Sequence, residues 1–120
     1  MKARAAALVA LVLLGWLAWP ARQPDATLRA GSLTVTVADP RPGLTDLALT
    51  LTGPGATGAF IEVQAVMPVL GYATPEVVAT AAGAGHYTVT GIPLITAGPW
   101  ELRVRVTGRD PLTLPFQVAG

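Results

Sequence analysis

The sequence predicts an all-β fold: an immunoglobulin-like β-sandwich of about seven strands, preceded by one N-terminal hydrophobic helix. Three observations support this prediction. From Gly31 onward, apolar and polar residues alternate in short segments, which is typical of strands that bury one face. Thirteen Gly and eleven Pro in the 120-residue chain mark turns between these segments. An uncharged apolar run at residues 5–19 predicts the helix.

The N-terminal segment has the signature of an exported protein, because Lys2 and Arg4 precede the apolar run. A cleaved signal peptide needs a small residue three positions before the cut, whereas cleavage after Ala18 or Ala21 would place a Trp there. We therefore expect residues 1–21 to anchor the protein in the cytoplasmic membrane, with secretion after signal cleavage as the alternative. The positive-inside rule places the rest of the chain on the extracytoplasmic side, periplasmic or at the cell surface.

Residues 22–30 are polar and lack a period, so they are predicted to be a linker, and residues 31–120 are predicted to form the sandwich domain. A weak strand is predicted over residues 77–81. Apolar residues two positions apart predict the inward faces of the other strands: Leu33, Val35 and Val37; Leu47, Leu49 and Leu51; Ile61, Val63 and Ala65; Tyr87 and Val89; Trp100, Leu102, Val104 and Val106; Leu112, Leu114, Phe116 and Val118.

Composition argues against several classes of function. Beyond residue 21 the chain has six Arg and seven acidic residues, and this near-neutral balance does not favour nucleic-acid binding. The absence of Cys excludes thiolate metal sites, a Cys nucleophile and disulfides. The carboxylates are scattered without the spacing of an acid/base pair, so we predict that the protein is not an enzyme and has no small-molecule substrate. A deep pocket lined by two or more carboxylates would favour an enzyme instead.

Three short motifs resemble a known family. They follow one another along residues 33–118 as Met67-Pro68, Gly85-His86-Tyr87 and Gly98-Pro99-Trp100. Their order and spacing resemble the YtkA-like domain, which is related to FixH and has a Met-Pro-x-Met-Gly-His motif, then Gly-x-Tyr, then Met-x-Gly-x-Trp. The resemblance implies a small exported or membrane-anchored β-sandwich, associated with copper handling and with cytochrome oxidase assembly.

The chain departs from that pattern at three soft-ligand positions. Leu70 stands in place of the second Met, Tyr72 in place of the His, and Thr96 in place of the Met before Gly-x-Trp. Cu(I) prefers two to four converging thioether or imidazole donors. In the exported part, Met67 and His86 are the Met and the His that the sequence retains, so they are the candidate metal ligands, and copper is the candidate metal.

These observations predict a non-catalytic, extracytoplasmic, membrane-tethered accessory domain of the YtkA-like type. It would act through a protein partner in a copper-handling or oxidase-assembly pathway, without a bound cofactor. The alternative is a copper carrier in which Met67 and His86 share one ion with a ligand from a partner. Trp100 is predicted to be a core aromatic, and Arg103 and Arg105 are predicted to form a solvated face.

Overall fold

A computed structural model describes residues 23–120 of the chain, so the predicted anchor at residues 1–21 lies outside the described residues. Between residues 23 and 120, no helix has the length and apolarity needed to cross a membrane. These residues form ten strands: β1 (Ala26–Ala30), β2 (Leu33–Val37), β3 (Gly43–Leu51), β4 (Ile61–Met67), β5 (Tyr72–Ala73), β6 (Val77–Val78), β7 (Thr80–Ala81), β8 (His86–Leu94), β9 (Gly98–Val106) and β10 (Leu112–Val118).

The strands form two antiparallel sheets, which confirms the predicted all-β sandwich. The first sheet has the order β1-β2-β3-β8-β7, and the second has the order β10-β9-β4-β5, with β6 also pairing with β4. The buried apolar residues of the two sheets form one core cluster, and they include every inward position predicted from the alternation except Leu112, which is half-buried. Period-2 alternation therefore determined which side chains enter the core.

The predicted linker is shorter than expected, since Ala26–Ala30 form β1 and pair with β2 from Ala26 opposite Val37 to Ala30 opposite Leu33. The burial of β1 alternates between half-buried and exposed, which suits an edge strand. Its polar composition concealed it, because Arg29 and Thr27 face outward and the three apolar residues are only partly covered. The sequence alone did not reveal the pairing partner that makes this segment a strand.

The weak strand predicted over residues 77–81 is two strands in different sheets. Val77 and Val78 pair with β4, whereas Thr80 and Ala81 pair with β8. Before this crossing, Thr74 supports the edge of β4: its backbone N–H donates to the Ala65 carbonyl at 2.9 Å, and its Oγ1 accepts from the Ala65 N–H at 2.9 Å. The segment therefore moves from one sheet to the other within a few residues.

A bulge in β8 changes which residues face the core. The register with β3 shifts between Thr45 and Leu47, so that Leu47 opposes Val89 while Thr45 opposes Ile92. Gly91 has a φ of 71° and its N–H donates to Asp46 Oδ1 at 3.0 Å. Ile92 and Leu94 lie three and five positions after Val89, so strict alternation would turn them outward. The extra residue of the bulge returns both side chains to the core face, where Val89 also lies.

The two ends of the sandwich are formed by different sets of loops and strand ends. The Gln23 end comprises residues 23–26, 37–44, 67–72, 94–98 and 118–120, as the strand registers and the Ala119 N–H to Pro40 carbonyl bond of 2.9 Å show. The His86 end comprises residues 30–33, 51–61, 83–86 and 106–112. The described chain therefore enters the sandwich at the Gln23 end.

Candidate functional site: a proline-lined groove beside Met67

The segment after β4 is a single 3₁₀ turn, Pro68–Leu70. Pro68 suits the first position of such a turn because its φ is fixed and it has no N–H to satisfy. Gly71 ends the turn with a φ of 63°, and its N–H donates to the Pro68 carbonyl at 3.1 Å. The chain then reverses, so that Tyr72 pairs with Met67. Pro and Gly thus explain the turn locally.

Below this turn, the residues of two of the sequence motifs pack together. The methyl carbon Cε of Met67 lies over Gly98, where a Cβ would stand only 2.8 Å from it. Gly98 also has a φ of 129°, which L residues rarely adopt. The buried Trp100 donates its Nε1–H to the Thr96 carbonyl at 2.9 Å. The ring of Tyr72 meets the Trp100 ring edge-on, with centroids 5.8 Å apart and an interplanar angle of 83°.

A groove lies between the 3₁₀ turn and strands β9 and β10. Its volume is about 250 Å³, and it is lined by Pro68, Val69, Pro99, Trp100, Glu101 and Pro115. Val69 is 73% exposed, while Trp100 is buried and forms part of the lining from below. Glu101 is the charged residue of the lining, and its carboxylate lies 3.7 Å from the Arg103 guanidinium. The groove is therefore apolar, with one paired carboxylate at its side.

Met67 is not presented to solvent. It is buried within the main core cluster, and its terminal methyl contacts Gly98. A thioether in this position fills an irregular gap in the core, which is a common role of Met. For a copper ion to reach the sulfur, the turn or the Gly98 strand would have to move.

His86 lies at the opposite end of the sandwich. It is exposed, pairs with Thr50 in the first sheet, and its Nδ1 lies 3.3 Å from Thr50 Oγ1. The adjacent Tyr87 bonds to the segment just before Ile61, where β4 begins, whereas Met67 is the last residue of β4. Six residue steps of about 3.3 Å each separate the two ends of β4 by roughly 20 Å.

The structure thus does not bring Met67 and His86 together, and the alternative in which they share one copper ion has no geometric support. Among residues 23–120, no three His, Cys, Asp or Glu side chains are grouped so that they could hold a metal ion. The assignment of these two residues as ligands remains a prediction from the sequence. A metal bound at either one would need its other donors from elsewhere.

The Gly-x-Tyr motif has a structural explanation at the His86 end. A Cβ on Gly85 would stand 2.6 Å from the Leu51 carbonyl oxygen, and Gly85 has a φ of 72°. The buried Tyr87 donates its hydroxyl to the Ala56 carbonyl and accepts from the Ala59 N–H at 2.9 Å. The motif therefore fixes the loop that connects the two sheets, much as a tyrosine corner does.

A second pocket of about 340 Å³ lies on the outer face of the first sheet, and it is lined in part by two carboxylates. Asp46 Oδ1 accepts from the Gly91 N–H at 3.0 Å, and Asp25 Oδ1 accepts from the Asp39 N–H at 3.1 Å. Both side chains thus hold turns in place. The rest of the lining is mainly Thr and Ala from flat strands, so this pocket is not the deep, carboxylate-lined cleft that would favour an enzyme.

The two arginines on β9 form ion pairs across the outer face of the second sheet. Arg105 Nη2 lies 2.6 Å from Glu76 and 3.4 Å from Glu62, and Arg103 pairs with Glu101. All five side chains are partly or largely exposed, so each pair contributes little to stability. The predictions of a solvated face for Arg103 and Arg105 and a core position for Trp100 are both confirmed.

Sequence reasoning missed the groove itself, because its lining residues are far apart in the chain. Pro115 comes beside Glu101 only through the pairing of β10 with β9. One signal was present: Val69 and Leu70 are apolar residues within a Pro/Gly turn, where polar residues are usual.

No protein-family model matches the chain, and no curated protein matches it. Two solved structures are similar. The PmoD soluble domain from Methylocystis sp. ATCC 49242 (Rockwell) is 15% identical, with a TM-score of 0.49, over 77% of this chain and 94% of that chain. FetP from uropathogenic E. coli is 11% identical, with a TM-score of 0.49, over 83% of this chain and 97% of that chain. At these values the similarities support no argument about function, and the resemblance to the YtkA-like family remains a prediction.

Proposed function

We propose that this protein is a non-catalytic, extracytoplasmic accessory domain, tethered to the cytoplasmic membrane, that acts by binding a partner protein. The observation behind the proposal is the proline-lined groove with Val69 exposed at its rim. The resemblance in the sequence motifs suggests that the partner belongs to a copper-handling or oxidase-assembly pathway.

The size of the groove favours a protein partner over a small molecule. Pockets for drug-sized ligands occupy about 300–1,000 Å³. The groove, at about 250 Å³, is smaller and is open along one side of the turn, so it suits one or two side chains of another protein. Val69, at its rim, would be covered by the same contact.

The lining of the groove has little side-chain freedom to lose when a partner binds. Three of its lining residues are proline, which loses no side-chain rotamer freedom on binding. The 3₁₀ turn that carries Val69 is closed by the Gly71 to Pro68 hydrogen bond and follows directly after the buried Met67. A preorganised surface binds more tightly than a flexible one of equal area, because less conformational entropy is lost.

A membrane tether compensates for a small contact area. Residues 5–19 are apolar and follow Lys2 and Arg4, which favours a tether whose cytoplasmic end is the N-terminus. When two partners are held at one surface, their effective concentration rises to about the millimolar range. A contact too weak to persist between free proteins would then be sufficient.

Contact rather than metal transfer is the proposed activity, because Met67 is buried in the core against Gly98 and is not part of an exposed donor set. The only carboxylate in the lining is Glu101, whose side chain also faces Arg103. A partner that inserts an apolar side chain and places a cation or an N–H donor beside Glu101 would fit both features.

Site-specific photocrosslinking in cells that make the full chain tests this proposal. A benzophenone amino acid at position 69 should yield an adduct that is larger by the mass of a protein. The same amino acid at position 78, which is also exposed but lies on β6, should not yield that adduct. Adding Glu101→Lys to the position-69 probe should remove the adduct, because it reverses the charge beside the groove.

Alkaline phosphatase fused after Gly120 tests the location, since the enzyme is active only outside the cytoplasm. Identical adducts from positions 69 and 78, or an adduct that survives Glu101→Lys, would contradict binding through the groove. An inactive fusion would contradict the extracytoplasmic location.

A further inference from the structure

Exposed apolar side chains are concentrated at one end of the sandwich. Among residues 23–120, six large hydrophobic residues are well exposed, and four of them lie at the Gln23 end: Leu44 at 77%, Val69 at 73%, Leu70 at 60% and Ile95 at 52%. Of the other two, Phe60, at 50%, lies at the His86 end, and Val78, at 51%, lies on β6. Val69 borders the groove described above, which leaves Leu44, Leu70 and Ile95 without an assigned role.

These three residues lie at the same end of the sandwich, on segments that belong to both sheets. Leu44 pairs with Pro93, and Gly43 pairs with Leu94, so Ile95 follows directly beside the start of β3. From Ile95 the chain runs through two residues to Gly98, which contacts the Met67 side chain. Leu70 belongs to the turn that follows Met67. Leu44 and Ile95 therefore lie next to each other at the end of the first sheet, and Leu70 lies across the same end of the sandwich, beside the second sheet.

The chain also enters the domain at this end. The Gln23 N–H donates to Asp39 Oδ1 at 2.6 Å, and β1 begins at Ala26, opposite Val37. Residue 23 is thus fixed to the same end that exposes the apolar residues. Only residues 20–22 separate it from Trp19, the last residue of the apolar run in the sequence.

The length of that spacer decides what can cover the end surface. Four residue steps from Trp19 to Gln23 span at most about 14 Å, even when fully extended. If residues 5–19 enter the bilayer, as the proposed tether requires, Trp19 lies at the membrane interface, where indole rings are enriched. The Gln23 end is then held within about 14 Å of the lipid headgroups.

We propose that the Gln23 end docks on the bilayer surface through Leu44, Leu70 and Ile95, so that the sandwich stands on the membrane with the His86 end pointing away. This inference rests on the tether of the proposed function. Apolar side chains next to an interface are stabilised when they enter the headgroup region, and the tether removes most of the entropic cost of bringing them there.

The contact is apolar rather than electrostatic. The charged residues at this end are Asp25, Asp39 and Arg41, and Arg41 Nε lies 2.8 Å from Asp39 Oδ2. No basic patch is formed by these groups, so anionic lipid is not needed for docking. Vesicles of neutral phosphatidylcholine are therefore the appropriate membrane for a test.

The absence of Cys from the chain allows a direct test. The full-length protein is reconstituted into phosphatidylcholine vesicles, with an environment-sensitive NBD fluorophore on a single cysteine. The test variants are Leu44→Cys, Leu70→Cys and Ile95→Cys, and the controls are Phe60→Cys and Val78→Cys. Ile95 and the two controls have nearly equal exposed fractions, so they differ in position and not in local exposure. Circular dichroism of each labelled variant checks that the fold is kept.

Docking predicts blue-shifted emission at positions 44, 70 and 95, with severalfold stronger quenching by a lipid-borne quencher than at positions 60 and 78. Emission typical of water at all five positions, in protein that resists carbonate extraction, would overturn docking while leaving the tether intact. Shielding of the test positions from iodide without lipid quenching would also overturn it, since a protein would then cover the surface. Protein that carbonate extracts from the vesicles would overturn both the tether and docking.

Discussion

The loops that carry the sequence motifs are held by different interactions at the two ends of this sandwich. At the His86 end, polar groups connect the loops: Arg109 donates to Ser32 Oγ at 2.5 Å, to the Pro54 carbonyl at 2.8 Å and to the Thr52 carbonyl at 3.3 Å. Tyr87 adds its two bonds to the loop between β3 and β4. At the Gln23 end, apolar contacts among Met67, Gly98, Trp100 and Tyr72 hold the turn, and large hydrophobic residues remain exposed.

This difference separates an end whose loops are held by hydrogen bonds from an end that exposes most of the large hydrophobic side chains found exposed among residues 23–120. Exposed apolar residues concentrated at one end are unfavourable in water and usually indicate an interaction surface. The same core therefore supports a hydrogen-bonded loop around Tyr87 at the His86 end, where Phe60 is half exposed, and four exposed hydrophobic residues at the Gln23 end.

The largest expected effect comes from removing the apolar support of the Gln23 end. Trp100→Ala should lower the free energy of unfolding by about 3–5 kcal/mol, because it leaves a cavity under Tyr72 and the 3₁₀ turn. Its counterpart at the His86 end, Tyr87→Phe, keeps the ring and removes two hydrogen bonds, so it should cost about 1–3 kcal/mol. Urea denaturation of residues 23–120, followed by far-UV circular dichroism, measures both.

Equal losses for these two variants would contradict the distinction between an apolar end and a hydrogen-bonded end. Trp100→Phe serves as the control, since it retains an aromatic ring and should lose less than Trp100→Ala.

A pair of glycine variants sharpens the comparison at the level of the backbone. Gly85→Ala places a Cβ 2.6 Å from the Leu51 carbonyl oxygen at a positive φ, so we expect a loss of about 3 kcal/mol. Gly71→Ala, with a φ of 63°, has open space around the new methyl, so only the left-handed conformation is penalised and the loss should be about 1 kcal/mol. Thermal denaturation of both variants measures the difference, and a Gly71→Ala loss as large as that of Gly85→Ala would show that the turn is also sterically restricted.

A small effect on stability and none on Cu(I) affinity are expected at Met67. Met67→Leu nearly conserves volume, so it should cost less than about 1.5 kcal/mol. It should also leave Cu(I) affinity unchanged, because the sulfur is buried against Gly98 and lies at the other end of the sandwich from His86. Titration against a chromophoric Cu(I) competitor, with His86→Ala in parallel, checks this. Tight one-to-one binding that Met67→Leu removes would restore the copper-carrier alternative.

Much of the fold could be predicted from local patterns, because strand alternation depends only on neighbouring residues. The inward faces of β2, β3, β4 and β9 were confirmed in full. Where a strand depends on its partner, prediction failed: β1 was taken for a linker, and residues 77–81 were taken for one strand. The inward positions of Ile92 and Leu94 also depend on the bulge at Gly91, which the register with β3 reveals.

The candidate site was predicted less well than the fold. Sequence motifs drew attention to Met67 and His86 together, but the pairing of strands places them at opposite ends. The motifs mark positions where the fold needs special residues, such as Gly98 beside the Met67 methyl and Gly85 beside the Leu51 carbonyl. The spacing of the motifs along the sequence could not show whether their residues are needed for steric reasons or as ligands of one metal ion.

The sequence by itself determined the all-β class and most of the core, because period-2 burial is a property of each strand alone. It also supplied the apolar run and the basic residues before it, on which the proposed tether rests. Only the tertiary structure decided that Pro68, Pro99 and Pro115 form one groove, and that Leu44, Leu70 and Ile95 share the end where the chain enters. The physical reason is that these groups come from different strands, and their proximity is created by sheet order and register.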